Sequence, residues 1–86
     1  MFFVYILRSL KDNQLYVGST DDLRRRIQEH NAGKSESTKF RKLFNLIYYE
    51  AYVSERDARH REYNLKLRAR ALAQLKRRLE DTLRLA

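Results

Sequence analysis

The chain has 86 residues, no cysteine and two histidines, which leaves room for one small domain and excludes a disulfide framework or a thiolate zinc cage. Its 43% hydrophobic and 12% aromatic content is enough for a packed core, while 35% charged residues and a mean hydropathy of -0.75 imply a heavily solvated surface. Nineteen Lys and Arg against eleven Asp and Glu leave a net charge of +8, which suits a polyanionic partner, nucleic acid ahead of an anionic membrane or an acidic protein. No apolar run approaches the ~18 residues of a membrane span, and Met1 to Leu7 is too short for a signal core, so a cytoplasmic location is expected.

Residues 2 to 8, Phe-Phe-Val-Tyr-Ile-Leu-Arg, are apolar or β-branched on both alternating faces, which predicts a strand covered on both sides. Lys11, Asp12 and Asn13 supply turn formers, and Gln14 to Gly18 reads as a second strand ended by its glycine, making a β-hairpin. Ser19, Thr20, Asp21 and Asp22 form a helix-start signature, a hydroxyl cap with two carboxylates in the first turn. That helix is expected to run to Asn31 and to stop at Gly33. Ala32 to Lys42 has no hydrophobic period and mixes small polar residues with Lys34, Lys39, Arg41 and Lys42, so it reads as a basic loop.

Phe44 to Val53 is the most strand-like stretch, too aromatic and β-branched for a helix. Ser54 with Asp57 resembles a capping box and opens a helix through Leu67. One last helix follows from Ala69, where Leu72, Leu75, Leu79 and Leu83 recur at three- and four-residue intervals in a stripe suited to core packing. The predicted order is β-β-α-β-α-α in one α+β domain over residues 1–86. Gly18 and Gly33 both read as turn glycines, and no Gly-rich phosphate loop is present.

Several side chains stand out against this frame. Tyr5 and Tyr16 lie on the two hairpin strands, where matching parity would put both phenols on one sheet face; ordinary sheet tyrosines give the same pattern. On the first helix, Leu23 and Ile27 mark the inward stripe, and Arg26 and His30 share a flank beside it. A guanidinium held there suits a phosphate, although a solvated basic face is the plainer reading. Ala58, Glu62, Leu65 and Ala69 follow helical spacing, so Glu62 falls on the stripe that turns toward the sheet. An inward carboxylate needs a partner, either one of the many arginines or a hard divalent cation that takes oxygen donors and keeps most of its waters.

In this order and spacing the residues resemble the GIY-YIG endonuclease family, in particular its small single-domain bacterial type, over residues 2 to 67. Val4-Tyr5-Ile6 stands at the first motif and Tyr16-Val17-Gly18 at the second. Asp22 to Ile27, His30-Asn31, Gly33-Lys34, Ser37-Thr38-Lys39, Leu46 to Glu50, and Ala58 through Arg61-Glu62 to Leu65-Lys66 continue the likeness. Val4 departs from the glycine-isoleucine part of the first motif, and the helix from Ala69 carries no family catalytic residue.

The resemblance implies a three-stranded antiparallel sheet flanked by helices, and hydrolysis of DNA phosphodiester bonds by water with one divalent metal, Mg²⁺ or Mn²⁺. It implies catalytic roles for Tyr5, Tyr16, Arg26 and His30 and a metal-binding role for Glu62. On this reading Tyr16 deprotonates the attacking water, and His30 accepts a proton from Tyr16 or holds its hydroxyl. Tyr5 orients water or phosphate, and Arg26 neutralises the scissile phosphate. Lys34, Lys39, Arg41, Lys42 and Lys66 would grip flanking phosphates without base specificity, with DNA preferred to RNA. The rival reading is a non-catalytic basic nucleic-acid-binding module on the same fold. Glu62 argues against it, because an inward carboxylate repels a bound phosphate unless a cation intervenes.

Overall fold

Strand β1 (Phe2–Ser9), apolar on both faces, takes the centre of a three-stranded antiparallel sheet of order β2-β1-β3 in a computed structural model that describes residues 1–40 and 43–86. Its neighbours are β2 (Leu15–Thr20) and β3 (Phe44–Tyr52). Helix α1 (Leu23–Asn31) covers one face, with Leu23 and Ile27 packing on Tyr5, Leu7 and Phe44. The other face carries α2 (Glu55–Leu67) and α3 (Ala69–Arg78), whose Ala58, Leu65 and Leu75 join Val4, Ile6 and Val17. A register shift between Ile6 and Leu7 lets the adjacent Ile47 and Tyr48 of β3 both pack against this second core, as a β-bulge allows.

The element order follows the predicted one, with local differences that have physical causes. Strand β2 runs to Thr20 instead of ending at Gly18, because Ser19 and Thr20 stay paired with Val4 and Phe3. The helix cap therefore falls on Asp22, whose carboxylate accepts from Arg25 N at 3.0 Å, and no acidic residue lies in the first turn. Ser54 caps α2 as expected, accepting from Asp57 N at 3.1 Å. The last helix is divided at Leu79 into α3 and α4 (Glu80–Leu85). Its charges suit two helix dipoles: Lys76, Arg77 and Arg78 close α3 while Glu80 and Asp81 open α4. Leu79 sits at the joint with its side chain in the core.

The segment after α1 is less solvated than its composition implies. Ser35 and Thr38 are buried, and the Asn31 side chain accepts from Phe44 N at 2.7 Å and donates to Phe44 O, tying the end of α1 to the start of β3. Arg41 and Lys42, read as phosphate-gripping residues, lie outside the described residues. On the far side of α2, Arg61 forms a forked ion pair with Glu50, which also accepts from the hydroxyls of Tyr48 and Tyr52. These bonds outweigh the cost of burying Glu50 and hold its carboxyl below the usual range. They clamp α2 to β3. No helix among the described residues is long and apolar enough to cross a membrane.

Candidate active site

The hairpin register pairs Tyr5 with Gly18 and Leu7 with Tyr16, so both phenols project from one sheet face, toward α1. Their ring centroids lie 6.4 Å apart. Gly18 lies inside β2 with no positive φ, and a β-carbon there would fall on the Oη and Cζ of Tyr5. The glycine is needed for close approach of a side chain, not for a turn. Gly33, at φ 75°, does have the turn role its position predicts.

His30 is fully buried under the tyrosines, although its side chain comes from a largely polar helix. Its Nε2 shares a 2.8 Å hydrogen bond with the Tyr5 hydroxyl, and its Nδ1 shares one of 2.6 Å with Thr38 Oγ1. The contact with Tyr16 is ring to ring, at 5.0 Å between centroids, while the Tyr16 hydroxyl bonds Ser37 Oγ at 3.2 Å. The imidazole therefore holds Tyr5 where sequence reasoning had it hold Tyr16. Burial, reinforced by the Arg26 guanidinium, pulls the His30 pKa down to about 4. Burial also pushes the Tyr5 phenol up to about 12, with Tyr16 adding to the rise and Arg26 opposing it. Both groups are neutral at pH 7.

Arg26 occupies the same flank of α1, donating to Glu29 Oε1 at 3.0 Å and to Ser35 Oγ at 3.3 Å. Burial weakens its charge slightly, but Glu29 and Tyr5 more than restore it, so it remains a permanent cation beside the phenol. Ser35 in turn bonds Ser37 at 3.3 Å. A chain of hydroxyls thus links Arg26 to Tyr16, and Thr38 anchors His30. Sequence reasoning gave Ser35, Ser37 and Thr38 no role; the signal was a cluster of small hydroxyl residues two to five positions beyond Gly33.

Glu62 approaches from the opposite sheet face. Ser19, which pairs with Val4 and faces α2, donates to Glu62 Oε1 at 2.6 Å, and Lys66 Nζ lies 2.9 Å from Oε2. The protein partners of the inward carboxylate are a lysine and a serine, and neither is one of the arginines that stood as the alternative to a cation. Lys66 then reaches the Tyr16 ring, its ammonium 5.4 Å from the centroid. Glu62 is near enough to raise the Tyr5 pKa. Tyr5, Tyr16, Arg26 and His30 thus gather on the α1 face, whereas Glu62 stands on the α2 face and is linked to Tyr16 through Lys66. Lys34 is exposed, and Lys39 pairs with Glu36 at 3.1 Å.

The profile of the GIY-YIG catalytic domain matches residues 1–78. The chain belongs to the GIY-YIG family. Among similar proteins, the UPF0213 protein of Staphylococcus haemolyticus is 45% identical over 65 residues, covering 74% of this chain and 78% of that one. The UPF0213 protein of Pediococcus pentosaceus is 41% identical over 71 residues, covering 81% and 74%. A solution NMR structure of a UPF0213 protein from Bacillus halodurans superposes with a TM-score of 0.53 at 40% identity, over 87% of this chain and 82% of that one.

This GIY-YIG domain thus sits in a family of nuclease domains that act on nucleic acid. Among its described residues no group of three or more His, Cys, Asp or Glu gathers into a metal cage. Glu62 and Ser19 instead supply hard oxygen donors, of the kind that suits a cation such as Mg²⁺, which binds through one or two carboxylates and keeps water and phosphate ligands, with Lys66 standing at Oε2. They do not suit a soft metal.

Proposed function

We propose that this GIY-YIG domain is an endonuclease that hydrolyses DNA phosphodiester bonds with Mg²⁺ or Mn²⁺, and that Tyr5, Tyr16, Arg26, His30 and Glu62 carry the reaction. The reading rests chiefly on the hydrogen bond between Tyr5 and His30 beside a fixed guanidinium, inside a basic domain of this family. Phosphodiester hydrolysis needs a proton acceptor for the attacking water and positive charge on the phosphoryl oxygens. The pieces divide these tasks.

The hydrogen bonding favours Tyr5 over Tyr16 as the proton acceptor, because the imidazole is already committed to Tyr5. With Tyr5 donating to Nε2, the neutral imidazole carries its proton on Nδ1 and donates it to Thr38 Oγ1. Tyr5 takes the proton of the water as its own passes to His30. Burial holds Tyr5 as a neutral phenol and His30 as a neutral imidazole, so the proton shift would accompany attack. Arg26 steadies the charge that develops on the phenol and on the phosphate. Tyr16 orients water or phosphate. A cation held by Glu62 would neutralise the phosphoryl and leaving oxygens.

Lys34, Lys39, Arg41, Lys42 and Lys66 supply salt-dependent grip on flanking phosphates, and a cytoplasmic location and a preference for DNA over RNA belong to the same reading. The test is incubation with supercoiled, branched and single-stranded DNA and with RNA, each with Mg²⁺, Mn²⁺ or chelator. Cleavage of DNA in the metal arms alone is expected. Tight binding without cutting in every arm would favour the non-catalytic module.

A further inference from the structure

The ion pair between Lys66 and Glu62 occupies the carboxylate that the proposed function assigns to a cation. Lys66 Nζ stands 2.9 Å from Oε2 and Ser19 Oγ 2.6 Å from Oε1, so both oxygens are engaged by the protein's own donors. An ordinary pair four residues apart on a helix touches nothing else. Here Glu62 is only 21% exposed, and the lysine extends from the α2 face around the edge of β2 to the Tyr16 ring on the other face. Lys66 thereby contacts both halves of the site.

We infer that Lys66 is a resident counter-ion for Glu62: it neutralises the carboxylate while no divalent cation is bound, yields it when one binds, and then turns to a substrate phosphate. The inference rests on the proposed metal-binding role of Glu62. Its physical basis is competition for one oxygen, since an ammonium and a divalent cation cannot share Oε2 without strong like-charge repulsion. Lysine suits such a move, being a compact charge on a flexible four-carbon stem. Its release places a cation beside Tyr16, where the phosphate is to bind. A partly exposed pair of this kind is worth up to about 1 kcal/mol, so the competition weakens cation binding by roughly twofold to fivefold.

Two measurements on the full chain test this, neither of which reads activity. In an NMR titration with MgCl₂, Lys66→Met should bind Mg²⁺ roughly twofold to fivefold more tightly than wild type, and Glu62→Gln should lose the site. The wild-type Lys66 side-chain signals should shift as Mg²⁺ saturates, reporting its departure from Glu62. In the second measurement, without metal, Glu62→Gln liberates Lys66, so the logarithmic salt dependence of DNA binding should steepen by about one unit. Adding Lys66→Met should return it to the wild-type slope. Equal Mg²⁺ affinity in wild type and Lys66→Met, with the site abolished in Glu62→Gln, would overturn the role of Lys66 and leave Glu62 as the metal ligand. Mg²⁺ binding untouched by Glu62→Gln would overturn the metal reading and this inference with it.

Discussion

Tyr5 and Gly18 face each other across the β1–β2 ladder, and the phenol of Tyr5 fills the space that a β-carbon on residue 18 would take. The phenol is buried and tied to His30, so it has no free direction in which to retreat. Gly18→Ala should therefore lower stability by about 1–3 kcal/mol, through overpacking. For a domain of this size that is a fall of roughly 4–8 °C in Tm for each kcal/mol, readable by thermal denaturation. Tyr5 should leave His30 in the same variant. An unchanged Tm would mean that the hairpin does not press the ring onto the glycine.

The His30 pKa predicts a pH dependence of stability with a definite sign. In the unfolded chain the imidazole takes up its proton near pH 6.5, whereas in the native protein, buried beside Arg26, it does so near about 4. Between these values the unfolded state binds more protons, so stability falls as pH drops through that window, by up to about 3 kcal/mol. Wild type and His30→Gln compared by urea denaturation at pH 7, 5.5 and 4.5 separate this group from the carboxylates, and the variant should lose that part of the slope.

Thr38 predicts a split between two small substitutions. Thr38→Val leaves the buried Nδ1 of His30 without its 2.6 Å partner, which should cost about 1–3 kcal/mol and loosen the imidazole under Tyr5. Thr38→Ser keeps the hydroxyl. Cleavage measured well below Tm should fall in the valine variant and be largely retained in the serine variant; equal rates would remove Thr38 from the proton path.

Exchanging Lys39, Arg41 and Lys42 for alanine should weaken DNA binding for all sequences alike. Titrations at several salt concentrations should show the slope flattened by about one unit for each phosphate that is no longer neutralised. A fall in affinity for one DNA sequence only would assign base reading to this loop.

Most of the architecture was legible because it depends on local pattern. The doubly apolar Phe2 to Leu7, the aromatic Phe44 to Tyr52 and the Ser54 cap each state their structure in a few adjacent residues. The placement of Tyr5 and Tyr16 on one face is what matching strand parity requires. What escaped depends on contacts between distant residues. Gly18 looked like a turn glycine because only the β1–β2 register reveals the phenol above it. Thr38 and Ser35 looked solvated because nothing in a polar stretch marks which hydroxyls fold back onto a histidine and an arginine of the preceding helix. Helical spacing turns Glu62 toward the sheet, but its partners Ser19 and Lys66 come from two different elements, and the sequence left the choice between an arginine and a cation open. The division at Leu79 was written in the switch from Lys76-Arg77-Arg78 to Glu80-Asp81, a charge pattern that the leucine stripe across it concealed.

The measurement that bears most directly on the proposed nuclease is cleavage of supercoiled DNA by wild type and Glu62→Gln side by side, with Mg²⁺ and with chelator. The substitution keeps the shape and hydrogen-bonding capacity of the side chain and removes the charge that attracts a cation. Wild type should nick the DNA only with Mg²⁺, and a Glu62→Gln protein shown by its melt to be folded should cut at least about a hundredfold more slowly. A folded Glu62→Gln protein that cuts as fast as wild type, or cleavage by wild type that survives the chelator, would contradict it.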